Sequence, residues 1–355
     1  MKIFYIGMKY DYGNQGRGLS FEHYNFYDSL IKMNKSEHTI IYFPFDEIMI
    51  SLGRDLMNKK LKKDVVNEQP DLCFFFLYSD EIAQETIREI TNTSSATTFN
   101  WFADDHWRFD NFSRHWAPLF HWVSTTDSLA PAKYEKMGFT YILKTQWAAN
   151  HFLYKPDLDR AQSYEITFVG RPHSNRREIM RKLKVCGVDV RCFGNGWPHG
   201  RVDQDEMIAL FSHSRINLNL TKSSGFVSFK SLVKFFMQKR ANGTCHLASP
   251  LKWRDNIVSL THMSREQIKG RNFEIPGCGG FLLTSDADNL SEYYHEGSEI
   301  VIYKNFNDLV DKIRYYQTHE DERRTIAQAG YQRTLREHTY EKRFNDLFTR
   351  MGLQK

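Results

Sequence analysis

The chain has 355 residues, of which 41% are hydrophobic and 26% charged. This length suits two ordinary domains, each with its own core, and the composition is ordinary for a globular protein and does not indicate disorder. The five cysteines include no Cys-x-x-Cys pair, which disfavours a disulfide framework or a structural zinc site. Met1 leads into a strand pattern without signal-peptide features, and no apolar run approaches the roughly 20 residues that span a bilayer. We therefore expect a cytoplasmic protein.

The net charge of +5 is unevenly distributed along the chain. Residues 1–150 contain 16 Lys and Arg against 19 Asp and Glu, whereas residues 151–355 contain 32 against 24. Within the second part, Lys222–Arg271 has ten cations and two anions. A local basic excess of this kind indicates an anionic ligand or surface for the second half.

The first half alternates strand and helix patterns. Ile3–Gly7 predicts a strand that opens into a glycine-rich loop containing Gly16 and Arg17, and Ser20 can cap a helix over Phe21–Met33. The other predicted elements are strands over Thr39–Pro44, Asp71–Leu77, Ala96–Phe102, Trp122–Thr126 and Tyr141–Lys144, and helices over Leu56–Val66 and Leu129–Met137. This alternation is typical of a doubly wound α/β domain.

Two carboxylates, Asp104 and Asp105, follow the predicted strand Ala96–Phe102. Because open α/β sheets bind ligands beyond the carboxyl ends of their strands, either one is a candidate general base for an acceptor hydroxyl. The alternative is a helix cap, which we expect of at least one of the two. The neighbouring His106 is interpreted as a packing or aromatic-wall residue.

The alternation begins again after Gln146–Pro156, a break in periodicity that predicts the interdomain linker. The predicted elements are strands over Glu165–Val169, Val188–Cys192, Ile216–Leu220 and Phe281–Leu283, and helices over Glu178–Lys184, Asp205–Ser212, Phe306–Gln317 and Glu320–Leu347. They predict a second Rossmann-like domain.

The first strand-to-helix loop of this second domain contains Gly170, Arg171, Arg176 and Arg177. Backbone N–H groups and the helix dipole at such a helix start favour phosphate, while the alternative is a solvated surface loop. Asn195, after the next strand, is a further candidate for donor binding.

The stretch Gln267–Thr284, QIKGRNFEIPGCGGFLLT, combines Lys269 and Arg271 with one acid, Glu274. Cationic side chains can hold a diphosphate, and a carboxylate can accept hydrogen bonds from ribose hydroxyls. The alternative is a helix start with a surface salt pair. Beside the Gly170–Arg177 loop, the stretch predicts the second half of a diphosphate clamp for a sugar nucleotide.

Several blocks resemble the carboxyl-terminal domain of CgeB-like GT-B glycosyltransferases, namely EITFVGRPHSNRREIM, SRINLNLTKSS, QIKGRNFEIPGCGGFLLT and EIVIYKNFNDLVDKI. SFEHYNFYDSL and NWFADD resemble that family's amino-terminal domain. The resemblance implies an α/β GT-B fold with two Rossmann-like domains facing across a cleft, over residues 1–148 and 149–335, and a terminal helix over 336–355 that crosses back to the first domain.

The same resemblance implies a glycosyltransferase that moves a sugar from a UDP- or GDP-activated donor to a hydroxyl acceptor such as a polysaccharide or glycolipid, without a metal or another cofactor. Gly170 and Arg177 would approach the donor diphosphate, Arg271 would pair with it and Glu274 would hold the ribose. Glu266 stands eight positions before Glu274, which is the spacing of two glutamates in many retaining GT-B enzymes. The usual flanking residues are absent, so the stereochemistry of transfer stays open.

On the acceptor side, the candidates are Gly16, Arg17, Glu22 and His106. A weaker resemblance to phage DNA β-glucosyltransferases, in the Phe-x-Asp arrangement that ends at Asp104, would make that residue the base of an inverting displacement. DNA is then an alternative acceptor, although the acidic first half disfavours nucleic acid as a partner. A non-catalytic sugar- or nucleotide-binding protein is the alternative from another class.

Residues 223–264 are extra material relative to the family pattern. Within them, Phe226–Arg240 has an apolar helical face and four Lys or Arg. The pattern predicts a basic amphipathic helix that either packs on its own domain or contacts an anionic membrane surface or another polyanion. Peripheral association with the inner face of the membrane would follow from the second alternative.

Overall fold

The computed structural model describes residues 1–33, 38–157, 163–173, 175–221, 237–239, 245–247, 249–263 and 265–354. The chain forms two compact units. Unit 1 comprises Met1–Gln146, Val227–Met263 and Arg343–Lys355, and unit 2 comprises Trp147–Phe226 and Ser264–Lys342. The sequence prediction places residues 223–264 in the second domain, whereas the structure groups Val227–Met263 with unit 1.

The strands of the described residues belong to three sheets. In chain order they are β1 (Lys2–Gly7), β2 (Thr39–Pro44), β3 (Leu72–Phe75), β4 (Thr97–Trp101), β5 (Trp122–Thr125), β6 (Ile142–Lys144), β7 (Tyr164–Val169), β8 (Arg191–Phe193), β9 (Ser214–Asn219), β10 (Met237–Lys239), β11 (Cys245–Leu247), β12 (Leu282–Ser285) and β13 (Val301–Tyr303). Unit 1 has a parallel sheet of order β2-β1-β3-β4-β5-β6, and unit 2 has one of order β13-β12-β9-β7-β8.

Helices connect these strands. They are α1 (Asp28–Lys32), α2 (Phe45–Leu52), α3 (Arg54–Glu68), α4 (Gln84–Thr93), α5 (Asp105–Arg108), α6 (Arg114–Trp116), α7 (Ala130–Lys136), α8 (Arg176–Val185), α9 (Gln204–His213), α10 (Pro250–His262), α11 (Arg271–Gly277), α12 (Phe306–Thr318), α13 (Glu320–Glu337) and α14 (Tyr340–Arg350). A π-helical turn, His23–Tyr27, precedes α1, and the Ser20 hydroxyl accepts from the His23 N–H at 3.0 Å as the predicted cap.

The core of unit 1 explains why its strands are so continuously apolar. All four residues of β3 are buried, because a central parallel strand is covered by helices on both faces. Phe344 of α14 packs with Phe26 and Phe74 at ring-centroid distances of 5.6 Å. The inserted helix α10 belongs to the same unit, and its Asp255 pairs with Arg114 at 2.9 Å.

Unit 2 repeats this architecture. Its core combines Ile166 and Phe168 of β7 with Ile216 and Leu218 of β9. Its strands pair in parallel, so their carboxyl ends lie along one edge of the sheet. The predicted α/β class with two Rossmann-like domains is confirmed.

Three predicted elements differ from the structure. The strand predicted over Val188–Cys192 is shifted to β8, and the single helix predicted over Glu320–Leu347 is interrupted at His338, whose carbonyl accepts from the Ala149 N–H at 2.9 Å. In the helix predicted over Phe226–Arg240, residues 226–236 and 240 lie outside the described residues, and Met237–Lys239 is a strand paired with β11. Among the described helices, none is long and apolar enough to cross a membrane.

Candidate functional site

The loops after β7 and β8 lock together at the carboxyl edge of the unit 2 sheet. The Gly170 N–H donates to the Phe193 carbonyl at 2.9 Å, and the Trp197 indole N–H donates to the Gly170 carbonyl at 2.7 Å. Gly194 has φ 131°, and a Cβ there would lie 2.4 Å from the Gly170 oxygen. Only glycine permits this approach, so the predicted phosphate loop has a rigid backbone.

The arginines of this loop have different roles in the structure. Arg176 donates from Nη1 to the Arg171 carbonyl at 2.9 Å and from Nη2 to the Leu220 carbonyl at 2.6 Å, which ties the loop to the end of β9. Arg177 is exposed, donates to the Gly196 carbonyl at 2.7 Å and lies over the Trp197 ring. Arg171 is half-buried, and the predicted donor residue Asn195 is exposed next to Gly196.

A buried polar network joins β9, β12 and the start of α11. The Asn219 amide donates to Asn272 Oδ1 at 3.0 Å, and the same oxygen accepts from the Lys269 N–H at 3.0 Å. The amides of both asparagines also donate to the Thr284 hydroxyl at 3.3 Å. These bonds satisfy polar groups that would otherwise be costly to bury, and they fix α11 against the sheet edge.

Helix α11 presents the predicted pair Arg271 and Glu274. Glu274 has no exposed surface, and its carboxylate accepts from the Tyr154 hydroxyl at 3.1 Å and from Arg271 Nη1. The Arg271 side chain keeps 27% of its surface exposed. Burial lowers the pKa of Arg271, but the charge and hydrogen bond of Glu274, together with Tyr154 and Cys278, make the net change upward. The salt pair of the alternative interpretation therefore exists, with its carboxylate buried rather than on the surface.

A cavity of about 540 Å³ opens at the carboxyl ends of β9, β12 and β13. Its lining includes Asn175, Leu220, Ser285 and Tyr303, three acids and two lysines, which are Glu178, Glu266, Asp286, Lys182 and Lys304. Burial lowers the pKa of Arg176, with the Arg271 charge acting in the same direction and Tyr303 opposing it. Arg176 thus lies within electrostatic reach of both the cavity wall and the α11 pair.

The two carboxylates of unit 1 have different environments. Asp104 is partly exposed at the N-cap position of α5, adopts a left-handed conformation with φ 61°, and makes no side-chain capping bond. Asp105 has no exposed surface and accepts from the Ser113 hydroxyl at 2.5 Å and from the Tyr134 hydroxyl at 3.0 Å. Asp104 therefore occupies the N-cap position without making the capping bond that was expected of at least one of the two aspartates.

Burial raises the pKa of Asp105 to about 6, against the opposing hydrogen bonds from Ser113, Thr125 and Tyr134. Burial therefore favours the protonated form of Asp105 in the folded protein. Since a catalytic base must reach its proton, the geometry favours Asp104 as the one that meets an acceptor.

Three of the acceptor-side candidates, Gly16, Arg17 and Glu22, lie in or just after the loop that follows β1, whereas His106 follows β4. Arg17 pairs with Asp11 at 2.8 Å, and the exposed Gly16 donates its N–H to Asn14 Oδ1 at 2.9 Å. Burial raises the pKa of Glu22 to about 7, with Asp11 contributing in the same direction. His106 is buried at 3% exposure, in agreement with its interpretation as a packing residue.

Sequence reasoning missed several polar and aromatic residues of both sites. Asn219 and Thr284 could have been found, because each is a polar residue in an otherwise apolar strand pattern. Tyr154 carries no such signal, since its contact with Glu274 spans 120 positions. Among the described residues, no group of three or more His, Cys, Asp or Glu is arranged to hold a metal ion.

A family model described as glycosyl transferase-like matches residues 171–349. Among curated proteins, spore protein CgeB of Bacillus subtilis (strain 168) is 22% identical over 243 residues, which are 68% of this chain and 71% of that protein.

Solved structures of similar fold cover nearly the whole chain. Sucrose-phosphate synthase from Thermosynechococcus elongatus matches with a TM-score of 0.63 and 8% identity over 99% of both chains. A glycosyltransferase from Rickettsia africae ESF-5 matches with a TM-score of 0.62 and 9% identity over 99% of this chain and 98% of that chain. Anabaena HepE in complex with UDP-glucose matches with a TM-score of 0.62 and 10% identity over 99% of both chains. These likenesses identify the two-domain architecture as the GT-B fold.

Proposed function

The chain belongs to the glycosyl transferase-like family, and from that premise we propose that it transfers a sugar from a UDP- or GDP-activated donor, bound by unit 2, to a hydroxyl acceptor. The observation that carries the donor assignment is the cavity at the carboxyl ends of β9, β12 and β13. Parallel α/β sheets bind nucleotides at this edge. A cavity of about 540 Å³ is within the range of about 300–1,000 Å³ that is usual for small ligands.

Arginines at the start of α8 and on α11 suit the donor diphosphate. The N-terminus of α8 supplies the positive end of a helix dipole, which favours a phosphate group. Arg171 and Arg177 flank that N-terminus, and Arg271 lies within electrostatic reach of Arg176. When the bond between the sugar and the diphosphate breaks, negative charge develops on the leaving group, and fixed cations stabilise it.

Glu274 holds Arg271 in this arrangement. Both carboxylate oxygens are engaged, by Tyr154 and Arg271, and no part of the residue is exposed. The ribose-binding role that the family resemblance implies requires the carboxylate to become accessible, and it stays a prediction. A positioning role requires no rearrangement.

Asp104 is the proposed base on the acceptor side. The acceptor oxygen attacks the anomeric carbon, the bond from that carbon to the diphosphate oxygen breaks, and the acceptor proton passes to a carboxylate. Asp104 follows the carboxyl end of β4 and is partly exposed, as a proton acceptor must be.

A thermal-shift screen of UDP- and GDP-sugars tests the donor assignment. A ligand that binds only the folded protein stabilises it by about 2.7 kcal/mol at 100 times its Kd, so the correct donor raises the melting temperature. The same donor should then release its nucleoside diphosphate with a hydroxyl acceptor, or slowly with water. Binding without any turnover would instead identify a non-catalytic binding protein.

Two finer predictions accompany the proposal. We expect turnover to persist in EDTA, because cationic side chains neutralise the diphosphate. We also expect a cytoplasmic enzyme that associates peripherally with anionic membranes through Phe226–Arg240, which liposome flotation with and without anionic lipid would test. Residues 226–236 and 240 of that segment lie outside the described residues.

A further inference from the structure

A group of aromatic and cationic side chains lies at the carboxyl edge of the unit 1 sheet, and we call it the Tyr12–Tyr78 surface. Its members come from the segments after β1, β3 and β4, three strands that are adjacent in the sheet. They are Tyr12, Arg17, Tyr78, Trp107 and Arg108. Because parallel strands end at the same edge, segments far apart in sequence meet there.

The two tyrosine rings form the centre of this surface. Their centroids are 5.7 Å apart in an edge-to-face arrangement, and 55% of Tyr12 and 44% of Tyr78 are exposed. The Arg17 guanidinium lies 4.7 Å from the Tyr12 centroid. Arg108 donates to the Tyr78 carbonyl at 2.7 Å and lies 5.7 Å from the Trp107 ring.

Backbone strain marks the same edge. Tyr12 has φ 53° and Asp104 has φ 61°, and these are two of the four non-glycine residues with positive φ in the described part of the chain. A left-handed conformation costs a residue with a side chain about 1–2 kcal/mol, and such residues cluster at ligand sites. Here the strained conformation exposes a large ring to solvent, where it gains little burial.

Two carboxylates, Asp11 and Glu22, lie near the rings. Asp11 pairs with Arg17 at 2.8 Å. Burial, and to a smaller extent Tyr12, raises the pKa of Tyr78 to about 12, and Glu22 is close enough to contribute to this rise. The surface therefore mixes flat aromatic faces with both hydrogen-bond donors and acceptors. A polyanion would meet Asp11 and Glu22, whereas a neutral polyol meets partners for its hydroxyls.

We propose that the Tyr12–Tyr78 surface binds a neutral saccharide ring, so that the acceptor is a glycan. This inference rests on the proposed function and names its acceptor class. The apolar C–H face of a sugar ring packs on an aromatic face, whose π-electrons are negative. Its hydroxyls take hydrogen bonds from Arg17 and Arg108 and give them to the carboxylates.

Binding of neutral tetrasaccharides tests the inference. Cellotetraose, maltotetraose and chitotetraose are added to the full chain, and saturation-transfer NMR reports contact with the sugar ring protons. We expect at least one of them to bind, and its Kd to weaken about tenfold or more in Tyr12→Asn and in Tyr78→Ala. Asparagine tolerates the left-handed conformation, so the first variant keeps the backbone of the loop.

Tyr141 provides the matched control. It is 56% exposed, belongs to unit 1 and makes an edge-to-face contact with Trp122 at 5.0 Å, but it precedes β6 and so lies at the amino end of the strands. Tyr141→Ala should bind the saccharide like the wild type.

The remaining outcomes overturn the inference. Saccharide binding that is equal in wild type, Tyr12→Asn and Tyr78→Ala would place the acceptor elsewhere. Nucleoside diphosphate release by a wild type that binds none of the three saccharides would remove the glycan assignment while leaving the proposed function intact. Preferential, salt-sensitive binding of a single-stranded oligonucleotide, for which aromatic rings and arginines also serve, would assign the surface to nucleic acid.

Discussion

The carboxyl edge of the unit 2 sheet is held by buried side-chain hydrogen bonds, whereas the corresponding edge of unit 1 exposes aromatic rings from strained loops. In unit 2, Asn219, Asn272 and Thr284 fix one helix next to a cluster of arginines. In unit 1, Tyr12 and Asp104 have positive φ. The carboxylates Asp11 and Glu22 lie close enough for Asp11 to raise the pKa of Glu22.

Under the two proposals, one sheet topology serves two ligands through the charge and rigidity of its loops. A diphosphate brings concentrated negative charge, which a rigid cationic edge holds with little reorganisation. A glycan brings a flat, neutral ring with many hydroxyls, which suits aromatic faces and mixed donors and acceptors. Each prediction below changes one edge and expects the other to keep its function.

The largest expected effect comes from Asp104→Asn. Removing a general base costs about 10²- to 10⁴-fold in kcat, because the acceptor proton has no carboxylate to receive it. The donor edge is untouched, so calorimetry should show unchanged affinity for the nucleotide sugar. Asp64→Asn, which changes a surface aspartate paired with Lys60 at 2.8 Å, serves as control, and wild-type kcat in Asp104→Asn would exclude this residue as the base.

The next effect concerns the donor edge. Arg271→Ala leaves the Glu274 carboxylate buried without its cation, and removing one partner of a buried pair costs about 3–5 kcal/mol of unfolding free energy. Replacing both, as Arg271→Met with Glu274→Leu, should recover most of that stability but not donor affinity. Urea unfolding and calorimetry measure the two quantities, and saccharide binding by unit 1 should survive in the double variant.

Arg215 is the control for this pair. Its side chain is also 27% exposed, but its partners Glu165 and Glu320 are on the surface. Arg215→Ala should cost no more than about 1 kcal/mol. Donor affinity that persists in the Arg271→Met, Glu274→Leu variant would mean that this pair serves stability alone.

These two predictions also show what the sequence could and could not establish. The alternating patterns predicted both parallel sheets, and Arg271 and Glu274 were found because cations and an acid precede a buried strand. The burial of Glu274 could not be predicted, since it depends on Tyr154 from a distant part of the chain. The grouping of Val227–Met263 with unit 1 could not be predicted for a similar reason, because the contact between Asp255 and Arg114 forms only in the folded chain.

A third prediction concerns pH and the acceptor edge. Burial raises the folded-state pKa of Asp105 from 3.8 to about 6, so its stabilising contribution is fully present below pH 3.8 and is lost as pH rises through 6. The difference between the two pKa values corresponds to about 3 kcal/mol of unfolding free energy. Asp105→Asn should abolish this pH-dependent contribution. Native-state hydrogen exchange in β4 and α5 at pH 4 and 6.5 measures it, and an equal pH dependence in wild type and variant would contradict the assignment.

The smallest expected effect compares two strained residues. Tyr12 and Gln69 both have positive φ, but Gln69 ends α3, away from the Tyr12–Tyr78 surface. Asparagine tolerates this conformation better than either residue, so Tyr12→Asn and Gln69→Asn should each raise the unfolding free energy by about 1 kcal/mol or less. Only Tyr12→Asn should lose saccharide binding, because only its strain holds a ring toward a ligand. A marked loss of stability in Tyr12→Asn would instead mean that the ring is part of the packing of unit 1, and the contrast between a rigid donor edge and a strained acceptor edge would then fail.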